Sequence, residues 1–255
     1  MILTIDMGNS NIKIGVVESP DRVVEERVTT DYDKSSLEYA TDIMSVLNFH
    51  ELDKKEIEGA IISSVVPPLT GIMSTSVRKV LGTEPMIVSS SMKKHVRLSK
   101  FKYPKGVGPD LIVGAEAAFR DYGGPAIVIN MGTATTLTIV DENAEFLGGV
   151  IMPGMNLSLQ SLSNHAASLP EISLEKPGRV ISRDTEQCMR SGIVYGTAGQ
   201  IDALIDRMQA ELGRECSLVA TGGMARFAVP YCSHKIKRDD ALMMKGLLYL
   251  YEQNR

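Results

Sequence analysis

The chain has 255 residues, 44% apolar and 23% charged, enough for one large domain or two ordinary ones around cores that need no covalent staples. A net charge of −4 gives no electrostatic footprint for nucleic acid, and no apolar run is long enough to span a bilayer. With only three cysteines (Cys188, Cys216, Cys232), none in a CxxC pair, and no leader-like n-region before MILTID, the expectation is a cytoplasmic protein without nucleic-acid or membrane partners.

In chain order, Ile2–Ile5 and Ile12–Val17 are short β-forming runs around the turn cluster Asp6-Met7-Gly8-Asn9-Ser10-Asn11, which predicts a hairpin with a polar, Gly-containing loop. Ala60–Val66 reads as a buried strand. Pro67-Pro68 ends it and opens a helix from Leu69 to about Leu81, in which Ile72, Met73, Val77 and Val80 share a face. The basic stretch Lys93, Lys94, His95, Arg97, Lys100, Lys102 and Lys105 reads as a solvated loop, some of whose cations could face an anionic substrate. Asp110–Tyr122 is predicted helical, with Asp110 as N-cap or first-turn acid and Gly123-Gly124 as the stop. Ala126–Asn130 and Leu137–Val140 are strands around Gly132-Thr133-Ala134-Thr135-Thr136. Helices are expected over 155–165, over 185–212 with a break near Gly192 or Gly196, and over 240–253. A short strand, Leu218–Ala220, precedes Thr221-Gly222-Gly223. The four histidines are isolated and read as surface or packing residues.

The most informative feature is an internal repeat. Ile2-Leu3-Thr4-Ile5-Asp6-Met7-Gly8-Asn9-Ser10 aligns with Ala126-Ile127-Val128-Ile129-Asn130-Met131-Gly132-Thr133-Ala134. Each is an apolar strand running into a side-chain oxygen, then Met-Gly, then small polar residues, then a returning strand. Such loops suit phosphate, because a Gly turn aims backbone N–H groups at one point without a side chain in the way. Asp6 at a strand end suits a hydrated Mg²⁺ held between phosphates, and Lys13 would add a positive charge. The third turn, Gly222-Gly223, would sit against a nucleoside. Neither loop is a Walker A or GxGxxG motif.

These loops resemble those of the type III pantothenate kinases. Asp6-Met7-Gly8-Asn9-Ser10-Asn11-Ile12-Lys13 is similar to their DxGNSxxK phosphate loop, and Gly132-Thr133-Ala134-Thr135-Thr136 to their GTATT loop. Tyr103-Pro104-Lys105-Gly106-Val107-Gly108-Pro109-Asp110 resembles their Tyr-Pro…Gly-x-Asp substrate motif. Gly148 to Gly154 resembles their GGxIxPG turn, Thr185 with Ser191 to Gly196 their Thr…SGxxYG helix, and Ala220 to Gly223 their ATGG turn.

The resemblance implies an α/β fold of two duplicated ribonuclease H-like, actin-like ATPase lobes, with mixed sheets flanked by helices. The expected lobes are residues 1–121 and 122–255. It implies a homodimeric enzyme that transfers the γ-phosphate of ATP to pantothenate, the first step toward coenzyme A, with Mg²⁺ and a monovalent cation, K⁺ or NH₄⁺. Asp110 would be the catalytic base. Asp6, Gly8, Asn9, Ser10, Lys13, Gly132, Thr133, Gly222 and Gly223 would hold ATP and Mg²⁺, the metal on Asp6. Tyr103, Gly108, Pro109, Leu111 and Thr185 would line the pantothenate pocket, and Asn130 would stand at the monovalent-cation position. Two positions depart from the family pattern. Leu111 replaces an Arg that helps hold the acidic substrate, and Asn130 replaces an Asp that ligates the cation. These departures leave open a diverged, non-catalytic pantothenate- or nucleotide-binding paralogue, or a kinase for another small hydroxylated acid.

Overall fold

The computed structural model describes residues 1–255. In chain order the elements are β1 (Ile2–Met7), β2 (Asn11–Ser19), β3 (Arg22–Thr29), α1 (Ser36–Phe49), β4 (Gly59–Ser64), α2 (Pro67–Leu81), β5 (Met86–Ile87) and α3 (Pro109–Tyr122). Then follow β6 (Ala126–Met131), β7 (Ala134–Val140), β8 (Phe146–Pro153), α4 (Met155–His165), α5 (Thr185–Leu212), β9 (Ser217–Thr221), α6 (Ala225–Ala228), β10 (Lys237–Arg238) and α7 (Leu242–Asn254).

The chain divides into two units. The first holds residues 1–121, 144–146 and 241–255, and the second 122–143 and 147–240. The first unit thus takes in the C-terminal helix, and the second begins at Tyr122. Helix α7 packs on β1, β2 and β4 of the first unit. The physical reason is burial: Leu242, Met243, Met244, Leu247, Leu248 and Leu250 are all removed from water there, and each such side chain is worth about 1.5–3 kcal/mol.

Each unit is built on one five-stranded sheet, ordered β3-β2-β1-β4-β5 in the first and β8-β7-β6-β9-β10 in the second. In both, the central strand pairs antiparallel with the next strand in sequence and parallel with a later one. The strand order and pairing are thus duplicated, as the repeat implies. The first core gathers Leu3, Ile5, Met7, Ile12, Ile14, Ile43, Leu47, Ile62, Leu69, Met73 and Val77. The second gathers Ile127, Ile129, Met131, Leu137, Val194, Ile201 and Ile205.

Local signals explain most boundaries. Helix α2 begins at Pro67, where a missing N–H costs nothing, and ends at Gly82, whose φ of 77° suits a residue without Cβ. Helix α1, outside the elements expected from the sequence, carries a capping box between Ser35 and Glu38. Helix α5 runs unbroken through Gly192, Gly196 and Gly199, so no break occurs there. Its N-cap is Asp184, whose side chain accepts from the Gln187 amide.

Candidate active site

In the first unit, β1 delivers Asp6 to the end of the central strand, in register with Lys13 on β2 and Ser63 on β4. In-register neighbours point to the same face, so three polar side chains stand side by side. The turn after Asp6 is closed by the Gly8 amide donating to the Asn11 carbonyl at 3.0 Å, while the Thr30 hydroxyl donates to the Gly8 carbonyl at 2.7 Å. Asn9 and Ser10 lie exposed at its tip. Lys13 is not held in reserve for a ligand alone: its ammonium pairs with Glu25 at 2.9 Å.

Asp110 stands in the first turn of α3. Burial raises its pKa, only partly offset by the Leu111 amide and its own. Asp6 is pushed up to about 6, first by burial and then by the negative charge of Asp110, against the weaker pull of Lys13 and Ser63. The structure therefore brings Asp6 and Asp110 within electrostatic reach of one another. Two mutually repelling carboxyls in a partly dry site form a donor set that a divalent cation would relieve.

Tyr103 precedes a short 3₁₀ turn over Pro104–Gly106 and is 67% exposed. Gly108, Pro109 and Leu111 flank Asp110, and the Gly108 carbonyl accepts from the Leu111 amide at 3.0 Å. A side chain at Gly108 would collide with the Asp110 carboxylate, which explains a glycine there. The preceding basic stretch is a loop with mostly exposed cations, as expected, and it is tied down at Lys94, His95 and Arg97. The Lys94 amine donates to the carbonyls of Ser90 and Met92, His95 bonds Glu116, and Arg97 pairs with Glu145 at 2.6 Å.

In the second unit, Asn130 occupies on β6 the place that Asp6 holds on β1, in register with Thr136 on β7 and Thr221 on β9. The hydroxyls of Thr136 and Thr221 are buried without a hydrogen-bond partner. The Gly132 amide donates to the Ala134 carbonyl at 3.0 Å, closing a hairpin one residue shorter than the one at Gly8, and Thr133 is exposed. Gly154 supports this turn, with its amide donating to the Thr133 carbonyl at 3.0 Å. Gly222 has φ of 92°, and a Cβ there would come within 2.5 Å of the Met131 carbonyl. Gly223 follows it, half-buried. Thr185 lines an apolar cleft of about 440 Å³ with Leu162, Leu169, Cys188, Met189, Gly192 and Ile193.

Sequence reasoning did not single out Glu25, Thr136 or Thr221 as site residues, nor Glu116 as a partner of the basic stretch. Thr136 and Thr221 lie within motifs the sequence shows, but only strand register sets them on either side of Asn130, and Glu116 reads as one more polar residue on a helix. No cluster of three His, Cys, Asp or Glu gathers to cage a metal. Asp6 would hold Mg²⁺ in the other common way, through one carboxylate with water and phosphate oxygens. No helix is long and apolar enough to cross a membrane.

Comparison with known proteins supplies the family. The model of the type III pantothenate kinase family matches residues 2–207. The chain is 39% identical over 254 residues to a type III pantothenate kinase of Moorella thermoacetica and 40% over 255 residues to one of Roseiflexus sp., each pair covered completely. Among solved structures, it is similar to the activator of 2-hydroxyisocaproyl-CoA dehydratase from Clostridium difficile with bound ADPNP. That match has a TM-score of 0.56 and 10% identity, and covers 98% of this chain and 93% of the other. Component A of the Acidaminococcus fermentans (R)-2-hydroxyglutaryl-CoA dehydratase matches at TM-score 0.56 and 15% identity, over 98% and 96%. The fold is therefore the duplicated actin-like one, and the chain belongs to the type III pantothenate kinase family.

Proposed function

We propose that this protein phosphorylates the primary hydroxyl of pantothenate with ATP, giving 4′-phosphopantothenate, the first step of coenzyme A biosynthesis. The observation that carries the reading is the pair Asp6 and Asp110, gathered beside the Gly8 hairpin with both carboxyls raised in pKa. Asp110 accepts the hydroxyl proton, and its raised pKa makes it a better base than an ordinary aspartate. The nucleotide-binding residues are Gly8, Asn9, Ser10 and Lys13 in the first unit and Gly132, Thr133, Gly222 and Gly223 in the second. Tyr103, Gly108, Pro109 and Leu111 are the acceptor-binding residues of the first unit, and Thr185 is that of the second. Asp6 holds Mg²⁺, which supplies charge neutralisation to the phosphates when bound.

Asn130, Thr136 and Thr221 offer only neutral oxygens, so monovalent-cation binding is weak or dispensable in this reading. The exposed apolar side chains Ile151, Leu157, Leu162, Val180 and Ile181 in the second unit support a homodimer, with light scattering as the check. A cytoplasmic location agrees with the sparse, unpaired cysteines.

Leu111 favours a second reading, a kinase for another small hydroxylated acid or a binding protein without turnover. An ADP-release assay with Mg-ATP and pantothenate decides. Pantothenate-dependent turnover supports the first reading, and ATP binding without it supports the second.

A further inference from the structure

Glu116 is a carboxylate with no role in the site so far, and it is completely buried. It lies six residues beyond Asp110 on α3, about 9 Å along the helix at 1.5 Å per residue. Its oxygens accept from the His95 amide at 3.0 Å, the Val96 amide at 3.0 Å, His95 Nδ1 at 2.7 Å and Gln253 Nε2 at 2.8 Å. Burial would raise its pKa, but the Val96 and His95 donors and Gln253 bring it below the usual value. The last turn of α7 completes the dock. Asn254 Oδ1 accepts from the Lys93 amide and its Nδ2 donates to the Lys93 carbonyl, both at 2.9 Å.

Backbone 93–96 is thus bound by side chains of α3 and α7 much as a strand is bound by its neighbour. From there the chain runs through Tyr103 and Gly108 back to Asp110. The segment is a span with both feet on the helix that carries Asp110, and a second carboxylate, Glu145, holds Arg97 and Ser99 between them. Left unpaired, a dry ionised carboxylate would be costly, so the donors of His95, Val96 and Gln253 are what keep Glu116 stable in the interior.

We propose that Glu116, with Gln253 and Asn254, is a positioning residue that sets the acceptor segment 97–108 against Asp110, so that the C-terminal turn of the chain takes part in acceptor binding. This rests on the reading that Tyr103 and Gly108 face the acceptor.

The test compares wild type with Glu116→Gln, Glu116→Asp and Asn254→Ala in steady-state kinetics, varying pantothenate and ATP separately, and in amide exchange of residues 97–108. For Glu116→Gln, the pantothenate KM rises about tenfold, the cost of a lost charge-assisted bond. The ATP KM stays within about twofold, and Glu116→Asp recovers part of the loss. Exchange over 97–108 quickens in Glu116→Gln and in Asn254→Ala, the variant that serves if Glu116→Gln does not fold. Equal rises in both KM values, or unchanged exchange over 97–108, overturn the proposal. If wild type turns over no pantothenate, the function reading fails by itself, and the exchange experiment still decides whether Glu116 holds the segment.

Discussion

The two glycine hairpins share a strand arrangement, though the second loop is one residue shorter, and they differ in charge. In the first unit the in-register trio is Lys13, Asp6 and Ser63, and in the second it is Thr136, Asn130 and Thr221. The closing hydrogen bonds correspond as well. The Met7 carbonyl accepts from the Val65 amide at 3.0 Å, and the Met131 carbonyl from the Met224 amide at 3.2 Å. One copy keeps an acid whose ionisation is resisted by burial and by Asp110, and the other keeps only neutral groups. A duplicated fold can therefore retain its turn chemistry in both copies while concentrating charge, and its energetic cost, in one.

The strongest way to break this comparison is at the charged copy. Asp110→Asn should lower pantothenate-dependent turnover by about 10²–10⁴, the usual share of a general base, with ATP binding retained by calorimetry. Restoring a cation beside it should act next in size. Leu111→Arg should lower the pantothenate KM by roughly one to two decades, the worth of a charge-assisted contact to a carboxylate. An unchanged KM would place the acceptor's acid group elsewhere.

Asp6 offers a test through stability. Its folded pKa of about 6 lies above its ordinary 3.8, so the folded state binds the extra proton between those values, and stability falls as pH rises through that window. Asp6→Asn escapes the penalty. Its melting temperature should match wild type near pH 4 and exceed it above pH 6 by the equivalent of about 2–3 kcal/mol, while kinase activity is lost. A gain that is already present at pH 4 would trace the effect to packing instead.

The smallest effect belongs to the neutral copy. Asn130→Asp would put a carboxylate between Thr136 and Thr221, where no cation of the chain is in register with it. A titration with KCl should leave wild-type activity nearly flat and raise that of the variant severalfold. Strong KCl activation of wild type would remove the electrostatic contrast between the two hairpins.

Much of this architecture was legible before any coordinates. The Met-Gly repeat announced two matching hairpins because a tight turn restricts residue choice locally, and the helix bounds at Pro67 and Gly82 follow from the same local rules. Glu116 was not legible. On α3 it sits among Val113, Ala115, Ala117 and Ala118, and only the arrival of residues 93–96 and 253 from distant parts of the chain turns it into a buried acceptor. The basic stretch is the solvated loop its composition predicts, but its anchors Glu116 and Glu145 were not legible, since they are remote in sequence.

By itself, then, the amino-acid sequence determined the inner strands of both sheets, the two turns and the family, because backbone preferences and short motifs are local, but not the outer strands β3, β5, β8 and β10. Only the tertiary structure decided that α7 joins the first unit, that Asp6 and Asp110 repel one another, and that Asn130 stands between two unpartnered hydroxyls. Each of these depends on burial and register between segments far apart in the chain, and that is where desolvation and Coulomb energies arise.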